Sequence, residues 1–581
     1  MIGLPLVGAL VMMFSKNLPV RTAKFIALGF SLQPLVLAVP LWIAHRNSLP
    51  VLASAWTANP PTATPPGTLS LFSSTFSVNW IPAFGVRFSL GVDGISLVMI
   101  ALIALLVPIV LGASWEEKLP AGRSINGYFG LLLALEGAMI GVFAATDVFL
   151  FYVMFEVMLI PMYFLIGAYG GVRRTYAATK FFLYSLLGGL MMLASLIGLY
   201  VASADIRPEG GTLDFAELRA IASQIPLSTQ LWIFAGFALA FAIKAPLIPF
   251  HTWLPDAGAE APTGAGTLLV GVLDKVGTFG FLRICLPLLP AASHKLAWLF
   301  LLLAVIGILY GAIVAAGQTD IKRFVTYTSI AHFGFIAMGC FVFTTQAVSG
   351  AVLYMVNHGL ATGLLFLLVG MLTARGGSRQ LADYGGVWKV APIMGGLFLI
   401  GSLATIAVPG TNSFISEFLV LIGSFRTQPV WAVLATIGIV LAAVYMLWIF
   451  QRVFTGPVRG SAVLGIPAAS DIAGGGAVPA MQTSQRASAP SDPRRVAVAE
   501  PHTDAHTEAH AAPQPKALWG DLSKREIAVL TPLVVLIVFL GVYPKPVLEV
   551  IDPVAARTVV DSGSPVDASS QQYLIGQEAG R

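Results

Sequence analysis

Runs of about 20 apolar residues, divided by short polar turns, recur along almost the whole chain, and no other feature limits its possible folds so severely. A segment crossing a bilayer must have every backbone amide satisfied, and continuous apolar runs of this length do that as helices. The runs predict spans near residues 22–44, 91–113, 126–146, 148–170, 178–203, 229–250, 265–288, 294–316, 323–343, 347–373, 388–424, 429–454 and 526–547. The 388–424 run is long enough to be bent or broken. MIGLPLVGALVMMF, at residues 1–14, is short for a crossing and lacks the basic flank and cleavage site of a signal peptide, so it reads as a first helix whose start is clipped or misassigned. Only 10% of the 581 residues are charged, against about 25% in a typical soluble domain. The expected fold class is an all-α polytopic membrane protein of about 14 transmembrane helices.

Lysine and arginine in the short loops set the orientation. Lys16, Arg21, Lys24, Lys118, Arg123, Arg173, Arg174, Lys180, Lys322, Arg323, Arg375, Arg379 and Lys389 collect on one side, which is expected to be cytoplasmic, with both termini outside. The net charge of +5 is mostly this bias, so it gives no case for nucleic-acid binding. The two cysteines, Cys285 and Cys340, each lie in an apolar run, and their spacing holds neither an iron–sulfur cluster nor a haem. With no Walker or Rossmann glycine pattern either, no cofactor is expected in this chain, and any electron or nucleotide chemistry must belong to a partner.

The organisation follows from the runs. Residues 1–125 hold the N-terminal helices and, at 45–90, a Pro/Thr/Ser-rich external loop; residues 126–290 and 291–455 are expected to be two related blocks, although their sequence identity is weak. A disordered cytoplasmic linker is expected at 456–523, the last transmembrane helix at 524–553 and a C-terminal tail at 554–581. In the linker, HTDAHTEAH spaces His502, His506 and His510 so that a helix would align three imidazoles for a metal, although a polar insert needs no such role. Between Ala204 and Thr229, Leu213, Phe215, Leu218 and Ile221 predict a short amphipathic helix at the outer surface. FAIKAPLIPFHTWLP ends one block and LATIAVPGTNSFISEFLVLIGSF the other; broken helices at corresponding places in two halves mark a transport path in inverted-repeat transporters.

Sorting the ionisable residues of the apolar runs by depth leaves a short list: Glu156, Lys244, Lys275, His332, His358 and Glu417, with Asp274 beside Lys275. One lysine near the centre of a span costs roughly 2.5–3.5 kcal/mol on insertion scales. Any one of them could simply bond a neighbouring helix, and Lys275 or Asp274 could snorkel. As a set they are expensive unless they face one polar interior, and Lys, Glu and His are the side chains that burial and pairing can tune to exchange protons. A Glu156–Lys244 pair would act as a switch that holds the lysine charged or lets it pass a proton to Lys275.

GVDGISL (Gly91 to Leu97), KAPLIPFHTWLPDAGAEAPT, DIKRFVTYTSIAHFG, the Asn357-His358 pair and SKREIAVLTPLVVLIVFLGVYPKPVLEVIDP together resemble the antiporter-like membrane subunits of NADH–quinone oxidoreductase, respiratory complex I, and within them the subunit M branch. The resemblance covers about residues 80–455 and 518–553. It implies two inverted five-helix repeats, each with a broken helix, in a proton-translocating subunit of the membrane arm. It implies proton-transfer roles for Glu156, Lys244, Lys275 and Glu417, with His332 and His358 as polar links. The complex would use FMN, iron–sulfur clusters and quinone in other subunits; subunits L and N would be neighbours, and the location a bacterial plasma membrane. Relatives of the L, N and Mrp antiporter type usually carry lysine where this chain has Glu417, and subunit L continues into a long lateral helix. The other readings are a subunit of an Mrp-type cation/proton antiporter, a membrane subunit of a hydrogenase or formate-oxidising complex, and a passive scaffold.

Overall fold

The computed structural model describes residues 1–15, 18–58, 72–465 and 519–564. Lys16, the His502, His506 and His510 stretch and most of the expected linker and tail therefore lie outside the described residues. Among the described residues, eleven helices are long and apolar enough to cross a membrane, and further spans are interrupted.

The core is two successive sets of five crossings. The first comprises Ile125–Ala144, the Val148–Val157 and Leu159–Tyr169 pair, Arg174–Ala204, Leu227–Lys244 continued by Trp253–Glu260, and a distorted span that opens with Thr263–Leu268 and closes with Leu286–Leu288. The second comprises Pro290–Ala316, Ile321–Phe341, Thr345–Gly376, Pro392–Thr405 continued by Asn412–Thr427, and Pro429–Phe454. An odd number of crossings returns the chain on the opposite face, so the second set runs inverted relative to the first. In both sets the break falls in the fourth crossing.

Each break has a local cause. After Lys244, Pro246 and Pro249 supply no N–H for the helix ladder. Leu247 N–H turns to the Ala242 carbonyl, and the Ile243 carbonyl left free accepts a hydrogen bond from Trp253 Nε1 at 2.8 Å. In the second break, Pro409 precedes Gly410, whose φ of +93° suits glycine, while Ala407 also adopts a positive φ.

The span carrying Lys275 is not a regular α-helix. Two π-helical stretches, Leu269–Leu273 and Phe281–Cys285, flank Lys275–Gly280. Such wide turns frequently accompany functional sites because they loosen the i to i−4 ladder and free carbonyls.

The expected external loop at 45–90 is corrected in two places. The second helix runs Val20–Ala58, and Ser73–Ile81 pairs antiparallel with Val86–Val92. Phe76, Val78 and Trp80 alternate with polar residues, as do Phe88, Leu90 and Val92, and Gly85 takes the positive φ that closes the turn. The helix expected between Ala204 and Thr229 is Phe215–Ile221, capped by Asp214, with Phe215, Leu218 and Ile221 turned inward. Residues near 553 continue as one helix, Lys545–Asp561. It lies so close to Gly94 that a Cβ there would sit 1.9 Å from the Val550 carbonyl oxygen.

Candidate functional site

Of the residues singled out in the sequence, Glu156, Lys244 and Lys275 stand on the first set of crossings, and His332, His358 and Glu417 on the second. Glu156 is the penultimate residue of Val148–Val157, just before the turn at Met158. Its carboxylate lies against the bare backbone of Gly189: a Cβ there would be 1.7 Å from Oε1. Oε1 is buried and has no hydrogen-bond partner. Lys244 is only 1% exposed, and its Nζ likewise finds no hydrogen-bond partner. It lies 5.1 Å from the Phe155 ring and 5.4 Å from the Phe181 ring, so aromatic faces are its nearest compensation. Glu156 and Lys244 interact electrostatically but make no direct ion pair. The lysine is thus held at a helix end beside the carboxylate without being locked to it.

Lys275 is fully buried and fully engaged. Its ammonium donates to Asp274 Oδ1 at 3.1 Å, to His358 Nδ1 at 2.7 Å and to the Val270 carbonyl in the π-helical turn. An ammonium has three hydrogens, so this set uses all of them. A charged Lys275 fixes His358 as the neutral tautomer with its proton on Nε2, where Ser329 Oγ lies at 2.8 Å. One oxygen of Asp274 is left without a partner.

His332 and Glu417 lie a ring away. The His332 and His358 rings have centroids 5.6 Å apart, but His332 Nε2 has no hydrogen-bond partner, so this is where the chain of bonds is interrupted. His332 Nδ1 is 2.6 Å from the Tyr354 hydroxyl, which also bonds Glu417 Oε1. Beneath Glu417, Asn357 donates to the Asn412 carbonyl at 2.8 Å and Asn412 donates back to the Asn357 carbonyl at 3.1 Å. This reciprocal clamp fixes the start of the second half-helix, on which Glu417 stands.

Of the six residues singled out in the sequence, the structure brings Lys275, His358, His332 and Glu417 into one cluster and sets Glu156 and Lys244 side by side next to it. Tyr354, Ser329 and Asn412 escaped sequence reasoning. Helical spacing puts Tyr354 one turn before His358 and Ser329 nearly one turn before His332, a placement that by itself marks neither as functional.

Two charged features lie at the ends of the bundle. At the lysine- and arginine-rich end, a cavity of about 590 Å³ is lined by Glu117, Thr263, Lys322, Arg375 and Glu526 among others. Burial pushes the Glu117 carboxyl above the usual range, and Lys322 pulls it partly back. At the opposite end Arg283 is paired with Asp93, and its guanidinium packs on Phe72, Phe279 and Phe215 at 4.9, 5.2 and 5.4 Å. Burial works against the Asp93 carboxylate, yet Arg283 and Ser96 outweigh it and hold the group below its ordinary range.

A family model described as the transmembrane region of NADH:quinone oxidoreductase/Mrp antiporters matches residues 145–442. NADH-quinone oxidoreductase subunit M of Mycobacterium tuberculosis is 43% identical over 528 residues, covering 86% of this chain and 85% of that protein. The subunit M of Pseudomonas aeruginosa is 36% identical over 524 residues, covering 88% and 91%. A chain of respiratory complex I from Thermus thermophilus with bound NADH superposes with a TM-score of 0.75 at 29% identity, over 97% of this chain and 99% of that one. A chain of the Mrp complex from Dietzia sp. shares the fold, with a TM-score of 0.74 at 20% identity over 99% and 98%.

Proposed function

The chain belongs to the subunit M family of NADH-quinone oxidoreductase, and on that premise we propose that it translocates protons through Glu156, Lys244, Lys275, His358, His332 and Glu417. The observation that carries this reading is the buried bond chain from Asp274 through Lys275 and His358 to Ser329, facing a second chain from His332 to Glu417 across one short gap. Groups this deep in a membrane protein are costly, and these are the types that exchange protons.

Each residue has a distinct task. Lys244, unbonded beside Glu156, takes or loses a proton with little rearrangement, because no hydrogen bond must break. Its charge reaches Lys275 by way of Asp274, because the helix ending at Lys244 packs directly against the one carrying Lys275. Lys275 passes a proton to His358 Nδ1, leaving a neutral amine and an imidazolium that can donate from Nε2. Glu417 receives the proton on the far side of the gap. The π-helical carbonyl of Val270 and the carboxylate of Asp274 keep Lys275 solvated in both states.

At the level of the complex, this subunit sits in the membrane arm between subunits L and N, in a bacterial plasma membrane, with its basic end toward the cytoplasm and both termini outside. NADH oxidation and quinone reduction, with their FMN and iron–sulfur groups, take place in partner subunits. The domain plan of two antiporter-like repeats at 126–290 and 291–455 fits this role.

The test is NADH-driven proton pumping in inverted membrane vesicles carrying Lys244→Ala, with assembly checked on a native gel and NADH–quinone activity measured alongside. Pumping is expected to fall by about 100-fold, the scale of a lost proton-transfer group, in an intact complex. Normal pumping would make Lys244 structural and remove the proposed path.

Gly189→Ala probes the other partner. The new methyl group must displace the Glu156 carboxylate, and misplacing a reacting group by about 1 Å costs up to roughly 100-fold. In the same vesicles we expect a substantial loss of pumping. Gly198→Ala, on the same helix, meets its nearest neighbour at 3.3 Å and is expected to retain it. Equal behaviour of the two variants would show that the Glu156 position is unimportant.

A further inference from the structure

His332 and Glu417 are the last two groups of the proposed path, and they do not touch. Nδ1 and Oε1 are 3.7 Å apart, beyond hydrogen-bond reach. The Tyr354 hydroxyl lies between them, 2.6 Å from His332 Nδ1 and bonded to Glu417 Oε1. The three side chains come from three helices, Ile321–Phe341, Thr345–Gly376 and Asn412–Thr427. All three are buried, so no bulk water competes for these bonds.

A phenol has one hydrogen to donate. Two hydrogen bonds at one hydroxyl therefore require a second hydrogen, from His332 Nδ1 or from a protonated Glu417. Two arrangements of the neutral phenol satisfy both bonds and differ by the transfer of one proton. In the first, an imidazolium His332 donates from Nδ1 to the phenol oxygen, and the phenol donates to the Glu417 carboxylate. In the second, a protonated Glu417 donates to the phenol oxygen, and the phenol donates to the free Nδ1 of a neutral His332.

We propose that Tyr354 is the proton relay between His332 and Glu417, switching between these two arrangements. The step balances: the Nδ1–H bond and the phenol O–H bond break, a new phenol O–H and a carboxyl O–H form, and no electron moves. The imidazolium becomes imidazole, the carboxylate becomes carboxylic acid, and the tyrosine ends neutral as it began. His358 stands one turn further along the helix that carries Tyr354, so a shift of that one helix would move both contacts together. This assignment rests on the path proposed above and gives its final transfer an identified carrier.

Tyr354→Phe keeps the ring and removes only the hydroxyl. It is tested beside Glu417→Gln by NADH-driven pumping in inverted vesicles holding the full complex, with assembly read on a native gel. Both variants are expected to lose pumping by about 100-fold in an assembled complex. Normal pumping by Tyr354→Phe with loss in Glu417→Gln overturns the relay and leaves the path standing. Normal pumping by both removes the path and the relay with it. 3,5-Difluorotyrosine incorporated at 354 separates relay from packing, because it preserves the hydroxyl and nearly the same volume but makes the phenol more acidic. A relay responds to that acidity, so the pumping rate and its pH profile should shift, by about two-fold or more in rate. An unchanged rate and profile overturn the relay even if the phenylalanine variant fails to assemble.

Discussion

Exchanging Lys275 for arginine is expected to stop proton pumping while the complex stays assembled. The lysine ammonium is buried among Asp274, His358 and the Val270 carbonyl, and its proposed work requires that it give up a proton to His358. Guanidinium keeps the positive charge, so Asp274 retains its counter-ion, but it is effectively never deprotonated in a protein. The substitution therefore separates charge from proton exchange. Lys275→Ala removes both, and leaves Asp274 facing the interior unpaired, where breaking a buried pair costs about 3–5 kcal/mol. We expect pumping in inverted vesicles to fall by about 100-fold or more in both variants, with reduced complex on a native gel only for alanine. Pumping retained by arginine would show that Lys275 serves as a fixed charge.

The second large effect concerns stability. Arg283→Ala leaves Asp93 buried without its cation, removes a guanidinium stacked among three phenylalanine rings, and weakens the cap of the Gly94–Ala113 helix that Asp93 forms with Ser96. The expected cost is again about 3–5 kcal/mol. It should appear as loss of the assembled complex on native gels and a lower melting temperature of the purified complex. Because Asp93 titrates below its ordinary range in the fold, its stabilising contribution is fully present above the unfolded value of 3.8 and is lost as pH falls below it. The wild-type complex should accordingly lose this contribution in acid, whereas the variant lacks it at neutral pH already. An Arg283→Ala complex as stable as wild type would show that the pair contributes nothing net.

Hydropathy made most of this architecture legible, because a bilayer forces each apolar run into a helix of defined length. The two breaks were legible too, since Pro246, Pro249, Pro409 and Gly410 interrupt otherwise continuous runs. The hairpin at 73–92 was obscured by the Pro- and Thr-rich stretch before it, although its period-two alternation was present. The site was half legible. Charged residues in apolar runs stand out by cost alone, so Lys244, Lys275 and Glu417 could be found. Tyr354 and Ser329 could not, because tyrosine and serine are unremarkable in a membrane helix and their role depends on which side chains face them across helices. The π-helical turns that bring Lys275 to the Val270 carbonyl have no sequence signature that periodicity can detect, since one extra residue per turn looks the same as ordinary apolar sequence. The separation of Glu156 from Lys244 was equally invisible: sequence suggests a pair, and only the position of Gly189 and the two phenylalanine rings shows that they meet without bonding.

The closeness of Gly94 to the Val550 carbonyl, together with the 3.1 Å ion pair from Arg219 to Asp561, has a bearing on how the chain is made. The early helix Gly94–Ala113 finds one of its tightest neighbours in a segment that leaves the ribosome roughly 450 residues later. At about 5–20 residues per second, that delay is on the order of half a minute to a minute and a half. During that interval the surface beside Gly94 lacks the cover that Lys545–Asp561 gives it in the finished fold. Biogenesis of this subunit should therefore be most vulnerable in its final stage, and nascent chains stalled short of residue 545 should be the ones that membrane quality control removes.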